Sequence, residues 1–520
     1  MKEAGPAGLF SFSVRLEVGG LRLVRNVAGE GPIQGDTMRT AAFILIVAAL
    51  GACTKPNPNR CCIDDADCAA NHIPIGSTCQ EGLVCLGNQC IAESCTSAAQ
   101  CESLAPYCVA GLCGSTCTDD TECPGAGQDA KDMFCVGGNC VECRAAMTDC
   151  PTTAPICAAN SCRGCTGNSE CASALCDVAS GTCVDASTIT YASPTGPATA
   201  LCTMSDPCSF EHAFTVATND PARNTIKLAA GTYGVTLWSL SSGMLTIYGD
   251  GQTTTTIDVA KATGGTLRLR DLTVSGDLIQ AAPASAGAQR PTVDLDRVTC
   301  VGDMCIDANP AIVVIRRSKI VCGNSGCSDG PILAGGNASV VGGGTVLTVD
   351  QSIIQGGDSW SIFVSNGSTL NIQNSVVIGH GTSFQLVQSQ SPGSSSISFS
   401  TLYDVQTGCG TISGATPWLA SSNNIYLVTA LGAPADTASG NLCSHNYDLI
   451  MPQSTNPGGA GNILNMDPKL KSPDTGDFHP LSTSPAIDTA DPAATGNTHD
   501  YDGTARPHGT RSDIGAFEYH

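Results

Sequence analysis

The fold is decided by the stretches LRLRDLTVSG at residues 267–276 and VDLDRVTCVG at residues 293–302. In each, two alternating apolar residues are followed by two polar residues and then by two more alternating apolar residues. Two short strands that meet at a two-residue corner place every second side chain on the same side. The phrase recurs with variations as VVIRRSKI at 313–320, LTVDQSIIQG at 347–356, LNIQNSVVIG at 370–379 and ISFSTL at 397–402.

The starts of these phrases follow one another after 26, 20, 34, 23 and 27 residues. This is the coil length of a β-solenoid whose loops vary in length. A β-sandwich also alternates, but it should show hairpin signals between strands of equal length. We therefore predict a mainly β protein with a right-handed parallel β-helix over residues 186–465.

Both ends of this region resemble the ends of known β-helix proteins. The entry, residues 191–233, resembles the capping segment of pectin-lyase-like proteins, and LTIYGDG at 245–251 resembles their first coil. SPAID at 484–488 and DIGAFEY at 513–519 resemble the C-terminal segment of the choice-of-anchor Q family of bacterial surface β-helix proteins. The resemblance implies that residues 466–520 form a cap, which would protect the exposed edge of the terminal coil.

Residues 61–185 are rich in cysteine, and their spacing repeats about five times. The clearest unit is Cys95-x5-Cys101-x6-Cys108-x4-Cys113. Units end on turn phrases such as VGGN between Cys135 and Cys140, which predict hairpins. Units this small need disulfides to fold, but the spacing leaves the connectivity open. The region resembles the tandem four-cysteine repeats of some bacterial surface lipoproteins, which implies disulfide-rich small modules that act as a stalk or as binding modules.

Two features of the repeats allow other interpretations. CVEC at 140–143 and CRGC at 162–165 are CxxC pairs, typical of zinc or redox sites. In both, however, the first cysteine closes one unit and the second opens the next. Acidic phrases such as TDDTE at 118–122 could bind Ca²⁺, but solvated turns are the simpler interpretation. We assign no metal site and no cofactor.

A bacterial lipoprotein signal is predicted at residues 38–52. The apolar run at 41–51 is too short to span a bilayer, and LGAC at 50–53 resembles the lipobox, which implies lipidation of Cys53. A short buried element followed by a disulfide cysteine is the alternative, but the polar residues 53–60 suit a tether. Residues 1–37 precede a complete signal and are interpreted as an over-extended start. We expect an exported chain, lipid-anchored to the outer membrane or cell surface.

Composition agrees with export. The 31 cysteines indicate an oxidising compartment. Without Cys53 they divide into 22 in the repeats and 8 beyond, both even numbers, as expected when one cysteine carries a lipid. A net charge of −22 without basic runs argues against nucleic acid as a partner. Proximity along the chain suggests the disulfide pairs Cys202–Cys208, Cys300–Cys305, Cys322–Cys327 and Cys409–Cys443.

Catalytic candidates are few, and we assign no catalytic residue. Asp294 and Asp296, with Arg316-Arg317 one coil later, come nearest to the carboxylate cluster and base of a polysaccharide lyase. GHG at 379–381 is similar to a polygalacturonase motif, but GDS at 357–359 and NAS at 337–339 lack the expected acidic partners. HDYDG at 499–503 hints at a Ca²⁺ loop, although a capping turn fits better.

We therefore expect a surface protein whose stalk presents a β-helix for binding, adhesion or structure. Its partners would be the membrane, through the lipid, and an extracellular polysaccharide or another surface protein. The alternative is a carbohydrate-active enzyme, a lyase or hydrolase, because the flank of a β-helix suits a linear polymer. Three or more carboxylates with a basic residue on one solvent-facing flank would separate the two, since without them the lyase interpretation fails.

Overall fold

The computed structural model describes residues 117–123, 134–144 and 149–520, together with six short strands before residue 117. Gaps within the described part are 235–237, 286–287, 323–329, 337–342, 357–359, 366, 380–384, 391–393, 406–418, 430–442 and 454–455. The chain forms two compact units, one of residues 1–149 with 159–161 and one of residues 150–158 with 162–520. The proposed signal, Cys53 and the tether lie outside the described residues.

Short hairpins occur where the turn phrases predicted them. In the second to fourth hairpins of the chain, Cys85 lies opposite Cys90, Cys108 opposite Cys113, and Cys135 opposite Cys140. Gly137 and Gly138 have φ of 59° and 84°, the left-handed conformation that such a turn requires. The antiparallel strands of the hairpins are Leu16–Val18, Leu21–Leu23, Leu83–Leu86, Gln89–Ala92, Tyr107–Val109, Leu112–Gly114, Phe134–Val136, Asn139–Val141, Ile156–Ala158, Ser161–Arg163, Cys176–Asp177 and Thr182–Cys183.

The disulfides give the connectivity that the spacing had left open. In two complete units the first cysteine pairs with the third and the second with the fourth, as Cys117–Cys135, Cys123–Cys140, Cys165–Cys176 and Cys171–Cys183. Cys150–Cys162 is a second-to-fourth pair of another unit. The two cysteines across a hairpin thus bond to different upstream cysteines, so each hairpin is fixed to the start of its unit.

The solenoid cysteines are also oxidised. Cys202–Cys208 and Cys300–Cys305 are bonded as their proximity suggested. Cys322 and Cys443 are disulfide-bonded, whereas Cys327 and Cys409 lie outside the described residues. The pairs Cys322–Cys327 and Cys409–Cys443 therefore stay predictions.

A parallel β-solenoid extends from Ile189 to Leu464, as the recurring phrase predicted. Its strands stack in three columns, which we call faces 1, 2 and 3. Thr255–Ala262 contributes to faces 2 and 3, Thr266–Ala281 to all three, and Thr292–Gly302 to faces 1 and 2.

The remaining strands each belong to one face. Face 1 contains Ile189–Ala192, Thr225–Leu228, Met244–Tyr248, Ile312–Arg316, Val346–Asp350, Thr369–Gln373, Ser395–Ser398, Leu419–Ser422 and Cys443–Asn446. Face 2 contains Gly231–Tyr233, Lys319–Cys322, Ile353–Gln355, Val376–Ile378, Thr401–Tyr403, Ile425–Leu427, Leu449–Met451 and Ile463–Leu464. Face 3 contains Ile306–Ala308, Ile332–Ala334, Trp360–Ser365 and Gln385–Gln390.

The corner between faces 1 and 2 is the two-residue corner of the phrase. Its second residue has positive φ in eight coils, at Asp271, Arg297, Arg317, Gln351, Asn374, Phe399, Asn423 and Tyr447. Phe399 corrects the predicted phrase at 397–402, where it was aligned as an inward residue: Ile397 pairs with Ile372, so Phe399 takes the corner position of Asn374. The left-handed conformation turns the chain sharply between two strands and points these side chains outward. For bulky residues this conformation costs about 1–2 kcal/mol, and the regular stacking of the coils imposes it.

A column of buried polar side chains lies just inside this corner. We call Ser318, Ser352, Ser375, Ser400, Asn424 and Asp448 the serine ladder. The side-chain oxygen of each accepts a hydrogen bond from a backbone N–H of the preceding coil, at 2.8–3.2 Å. Each serine hydroxyl also donates to the carbonyl two residues earlier, as Ser352 does to Asp350 at 2.7 Å. The ladder thus satisfies buried polar groups where the corner interrupts the strands.

The first coils are covered from two sides. The helix Phe210–Asn219, capped by the Ser209 side chain, buries Phe210 in the same cluster as the solenoid interior. The last cysteine repeat packs on the outer side of face 1, where Leu175 is buried against Tyr191 and Tyr248. Short 3₁₀ helices are Asp120–Glu122, Asn168–Glu170, Ala186–Thr188, Pro221–Arg223 and Pro473–Thr475.

Residues 466–520 lie along a flank, which differs from the cap that the resemblance implied. Phe478, Ile514 and Phe517 form a second core with outward residues of face 2, including Ile425 and Leu449. The strands of this segment are Leu470–Ser472 and Asp477–Pro480. The segment lies here because face 2 is apolar on both sides in these coils.

The edge of the last face 1 strand is covered instead by residues 458–462. Ala460 accepts from the Tyr447 N–H at 2.7 Å, and Asn462 donates to the His445 carbonyl at 3.1 Å. In the part of the chain that the structure describes, no helix is long and apolar enough to span a membrane.

Candidate functional site: an arginine–aspartate network on face 1

The predicted candidates Asp294, Asp296, Arg316 and Arg317 do come together. Parallel register places Arg268, Asp294 and Val314 in one outward column of face 1, and Arg270, Asp296 and Arg316 in the other. The adjacent corner adds Asp271, Arg297 and Arg317. Three coils thus bring five arginines and three aspartates to one flank.

Asp294 lies at the centre of the first part of this network. Its carboxylate accepts hydrogen bonds from Arg270 in the preceding coil and Arg316 in the following coil, both at 2.7 Å. Arg268 is 3.9 Å from the same carboxylate, and its buried Nε has no hydrogen-bond partner among the described residues. Asp294 is therefore neutralised from both sides, and Arg268 is the least engaged of its neighbours.

Asp296 is more deeply buried, with 2% of its side chain exposed. Arg317 binds both its oxygens, at 2.8 and 2.6 Å, and Arg297 donates to it at 2.9 Å. Arg297 also binds both oxygens of Asp271, at 2.6 and 2.9 Å. Burial alone would lower the pKa of Arg297, but these carboxylates outweigh burial and raise its pKa above the ordinary value.

Every carboxylate oxygen of the three aspartates therefore accepts a hydrogen bond from a guanidinium group. A Ca²⁺ ion needs such oxygens as ligands, and here they already serve as acceptors in charge-assisted pairs. Guanidinium groups that already donate to carboxylates in bidentate pairs are suited to binding anions rather than to accepting a proton as a general base. In this arrangement the three carboxylates of the network do not form a preformed calcium site.

The network does offer positive charge to the solvent. The three coils hold five arginines against three aspartates, on a chain of net charge −22, and the next carboxylate along face 1 is Asp350, the register neighbour of Arg316. The side chains of Arg268, Arg316 and Arg317 are 42%, 40% and 38% exposed, whereas Asp294 and Asp296 are nearly covered. The chemistry that fits this surface is recognition of an anion by guanidinium groups.

Two other candidate motifs were the polygalacturonase-like residues and the HDYDG turn at 499–503. His380, Asp358 and the NAS stretch at 337–339 lie outside the described residues. Asp500 accepts from the backbone N–H groups of Asp502, Thr504 and Glu518, at 3.0, 2.7 and 2.9 Å. These bonds make Asp500 the organising residue of a turn, as the simpler interpretation expected.

The cysteines of the two CxxC pairs are bonded to cysteines outside the pairs. Cys140 is bonded to Cys123, Cys162 to Cys150, and Cys165 to Cys176, so these cysteines supply no thiolate for zinc and form no internal CxxC disulfide. In the acidic phrase of the same unit, Asp120 accepts from the Cys135 N–H at 2.8 Å. Asp120 is therefore part of the turn.

Sequence reasoning missed four members of the network, Arg268, Arg270, Asp271 and Arg297. The signal was present in the aligned phrases LRLRD and VDLDR, where arginine and aspartate alternate at matching positions. Matching positions in successive coils are direct neighbours in a parallel stack, so the opposite charges had to pair.

No family model matches the chain, and no curated protein matches it. Among solved structures, the crystal structure of pectate lyase Pel9A is similar with a TM-score of 0.36 and 14% identity, covering 65% of this chain and 98% of that one. The structure of the PL6 family alginate lyase AlyGC has a TM-score of 0.30 and 13% identity, covering 59% and 40%. These similarities concern the β-helix fold.

Proposed function

We propose that this chain is an exported protein, lipid-anchored through Cys53, whose solenoid acts as a binding module at the cell surface. The observation that carries the binding role is the arginine–aspartate network. Its carboxylates are engaged by arginine and nearly covered, while the side chains of Arg268, Arg316 and Arg317 are 38–42% exposed to solvent. A flat, rigid face of stacked strands holds these groups in fixed positions, which lowers the entropy cost of binding.

The oxidised cysteines support export, because such disulfides persist outside the cytosol. Anchoring is tested by comparing the wild-type chain with Cys53→Ser in cell fractions and by metabolic labelling with a fatty acid. We expect label and membrane association in the wild type, and neither in the variant. Membrane association that survives in Cys53→Ser would refute the anchor.

Lyase activity on an acidic polysaccharide is the second candidate. One observation favours it, since three carboxylates and several arginines do lie on one flank, as a lyase would require. The test is formation of unsaturated sugars from polygalacturonate or alginate, followed by absorbance with and without added Ca²⁺. We expect no turnover, because the carboxylates are engaged. Turnover that disappears in Arg316→Gln would establish the enzyme instead.

A further inference from the structure

The charges of face 1 alternate in sign along the solenoid axis. Arg268 and Arg270 belong to one coil, Asp294 and Asp296 to the next, and Arg316 to the third. Because coils stack about 4.8 Å apart, the outer two coils are separated by about 10 Å. The exposed guanidinium groups of Arg268 and Arg316 thus lie on alternate coils, on either side of a coil whose outward face 1 residues are acidic.

The alternation of arginine and aspartate coils should favour some anionic polymers over others, depending on the spacing of their charges along the solenoid axis. A sugar residue is about as long as the coil spacing, so a polymer with a carboxylate on every second sugar can place its charges over Arg268 and Arg316 alone. A polymer with a carboxylate on every sugar also places one over Asp294 and Asp296. That carboxylate meets no exposed guanidinium group, because the outward residues here are Asp294 and Asp296, which are nearly covered and already engaged by arginine. It gives up water without gaining a partner, which counts against the second polymer.

We propose that face 1 binds a linear acidic glycan whose anionic groups occur on alternate sugars, directly through Arg268 and Arg316 and without a bridging cation. Arg317 extends the positive surface at the corner. Asp294 and Asp296 act as positioning residues, because they hold Arg316 and Arg317 in place and set the spacing of the positive charges. This inference rests on the proposed binding function of face 1.

The experiment uses the full-length soluble variant Cys53→Ser, so that it does not depend on anchoring. Binding to immobilised hyaluronate, in which the carboxylate alternates with a neutral sugar, is compared with binding to polygalacturonate of similar length, both in EDTA. We expect hyaluronate to bind at least several-fold more tightly, and its affinity to fall as salt is raised.

Arg268→Gln is the sharpest variant, because its one ion pair is long and its loss leaves the fold intact. We expect about 3- to 5-fold weaker hyaluronate binding for Arg268→Gln and for Arg316→Gln separately, and at least 10-fold for both together. Lys319→Gln is the matched control, since this exposed lysine on face 2 makes the same change in net charge. We expect unchanged binding for the control.

Three outcomes would overturn the proposal. Polygalacturonate could bind as tightly as hyaluronate, binding could require Ca²⁺, or neither polymer could bind. If Lys319→Gln lost as much affinity as Arg268→Gln, the effect would depend only on the net charge of the protein, and the proposal would likewise fail. Failure of the anchor would leave these measurements standing, because they are made on the soluble chain.

Discussion

Removal of one hydroxyl from the serine ladder should weaken the solenoid measurably. In Ser352→Ala the Ser318 N–H loses its acceptor at 3.1 Å, and the Asp350 carbonyl loses a donor at 2.7 Å. Ser352 is fully buried, so water cannot replace the missing oxygen without entering the core. A buried backbone donor left unsatisfied costs about 1–3 kcal/mol, and we expect a loss of that size.

The loss is measured by urea unfolding of the soluble full-length chain, followed by circular dichroism. Hydrogen exchange gives a local readout, because 1–3 kcal/mol corresponds to about 5- to 150-fold faster exchange of the Ser318 amide when opening is local. Ser352→Thr keeps the oxygen and should retain most of the stability. Ser396→Ala removes a half-buried outward hydroxyl of face 1, whose hydrogen bond to Asn371 at 3.0 Å can be replaced by water, and should cost less than about 1 kcal/mol. If Ser352→Ala is no less stable than Ser396→Ala, the ladder does not contribute as argued.

Three further outcomes are expected. Burial raises the pKa of Asp513 to about 6, so the folded chain binds this proton more tightly than the unfolded chain does. The contribution of Asp513 to the free energy of unfolding should therefore fall by up to about 3 kcal/mol as pH rises from 4 to 6. In Asp513→Asn, the melting temperature should depend less on pH over this range. Arg506→Leu should destabilise the C-terminal segment by about 3–5 kcal/mol, because it leaves Glu518 buried without its partner, and limited proteolysis should then cleave this segment first. Non-reducing peptide mapping should find Cys322 bonded to Cys327.

For each of these three predictions, a specific result would contradict it. A melting temperature of the wild type that rises relative to that of Asp513→Asn from pH 4 to pH 6 would have the wrong sign for a carboxyl with a raised pKa. Arg511→Leu is the control for Arg506→Leu, since Arg511 is less buried and donates to a single carbonyl, that of Asp488. If the C-terminal segment were cleaved equally fast in the two variants, the argument that Arg506 stabilises it by pairing with Glu518 would be wrong. A free thiol at Cys322, or another partner, would refute the mapped pair.

The residues that face the interior of the solenoid could be predicted from the sequence. Alternation at Leu267 and Leu269, and again at Leu272 and Val274, depends only on the period of a strand and on burial. The serine ladder was harder to predict, because Ser318 and the other ladder residues occupy an inward position where an apolar residue was expected. Only the coil register shows that each one meets a backbone N–H.

The outward side was harder to predict. Ile425 and Leu449 give continuous apolar stretches, which mark burial on both sides but do not say what covers them. The covering segment begins some 40 residues after Ile425, and its turns are organised by carboxylates such as Asp500 and Asp513 rather than by regular strands. Likewise, Asp294 and Arg316 could be named from the sequence, but their hydrogen bonds depend on which residues are neighbours in adjacent coils.

The flank position of residues 466–520 has a consequence for how the chain matures. The coils of face 2 that carry Ile425 and Leu449 precede their cover in the chain, so they emerge first during synthesis and export. Until the cover follows, these coils expose an apolar strip that chaperones can bind and proteases can reach. A chain halted between the coils and their cover keeps this strip exposed, and can thereby be distinguished from a finished molecule and removed.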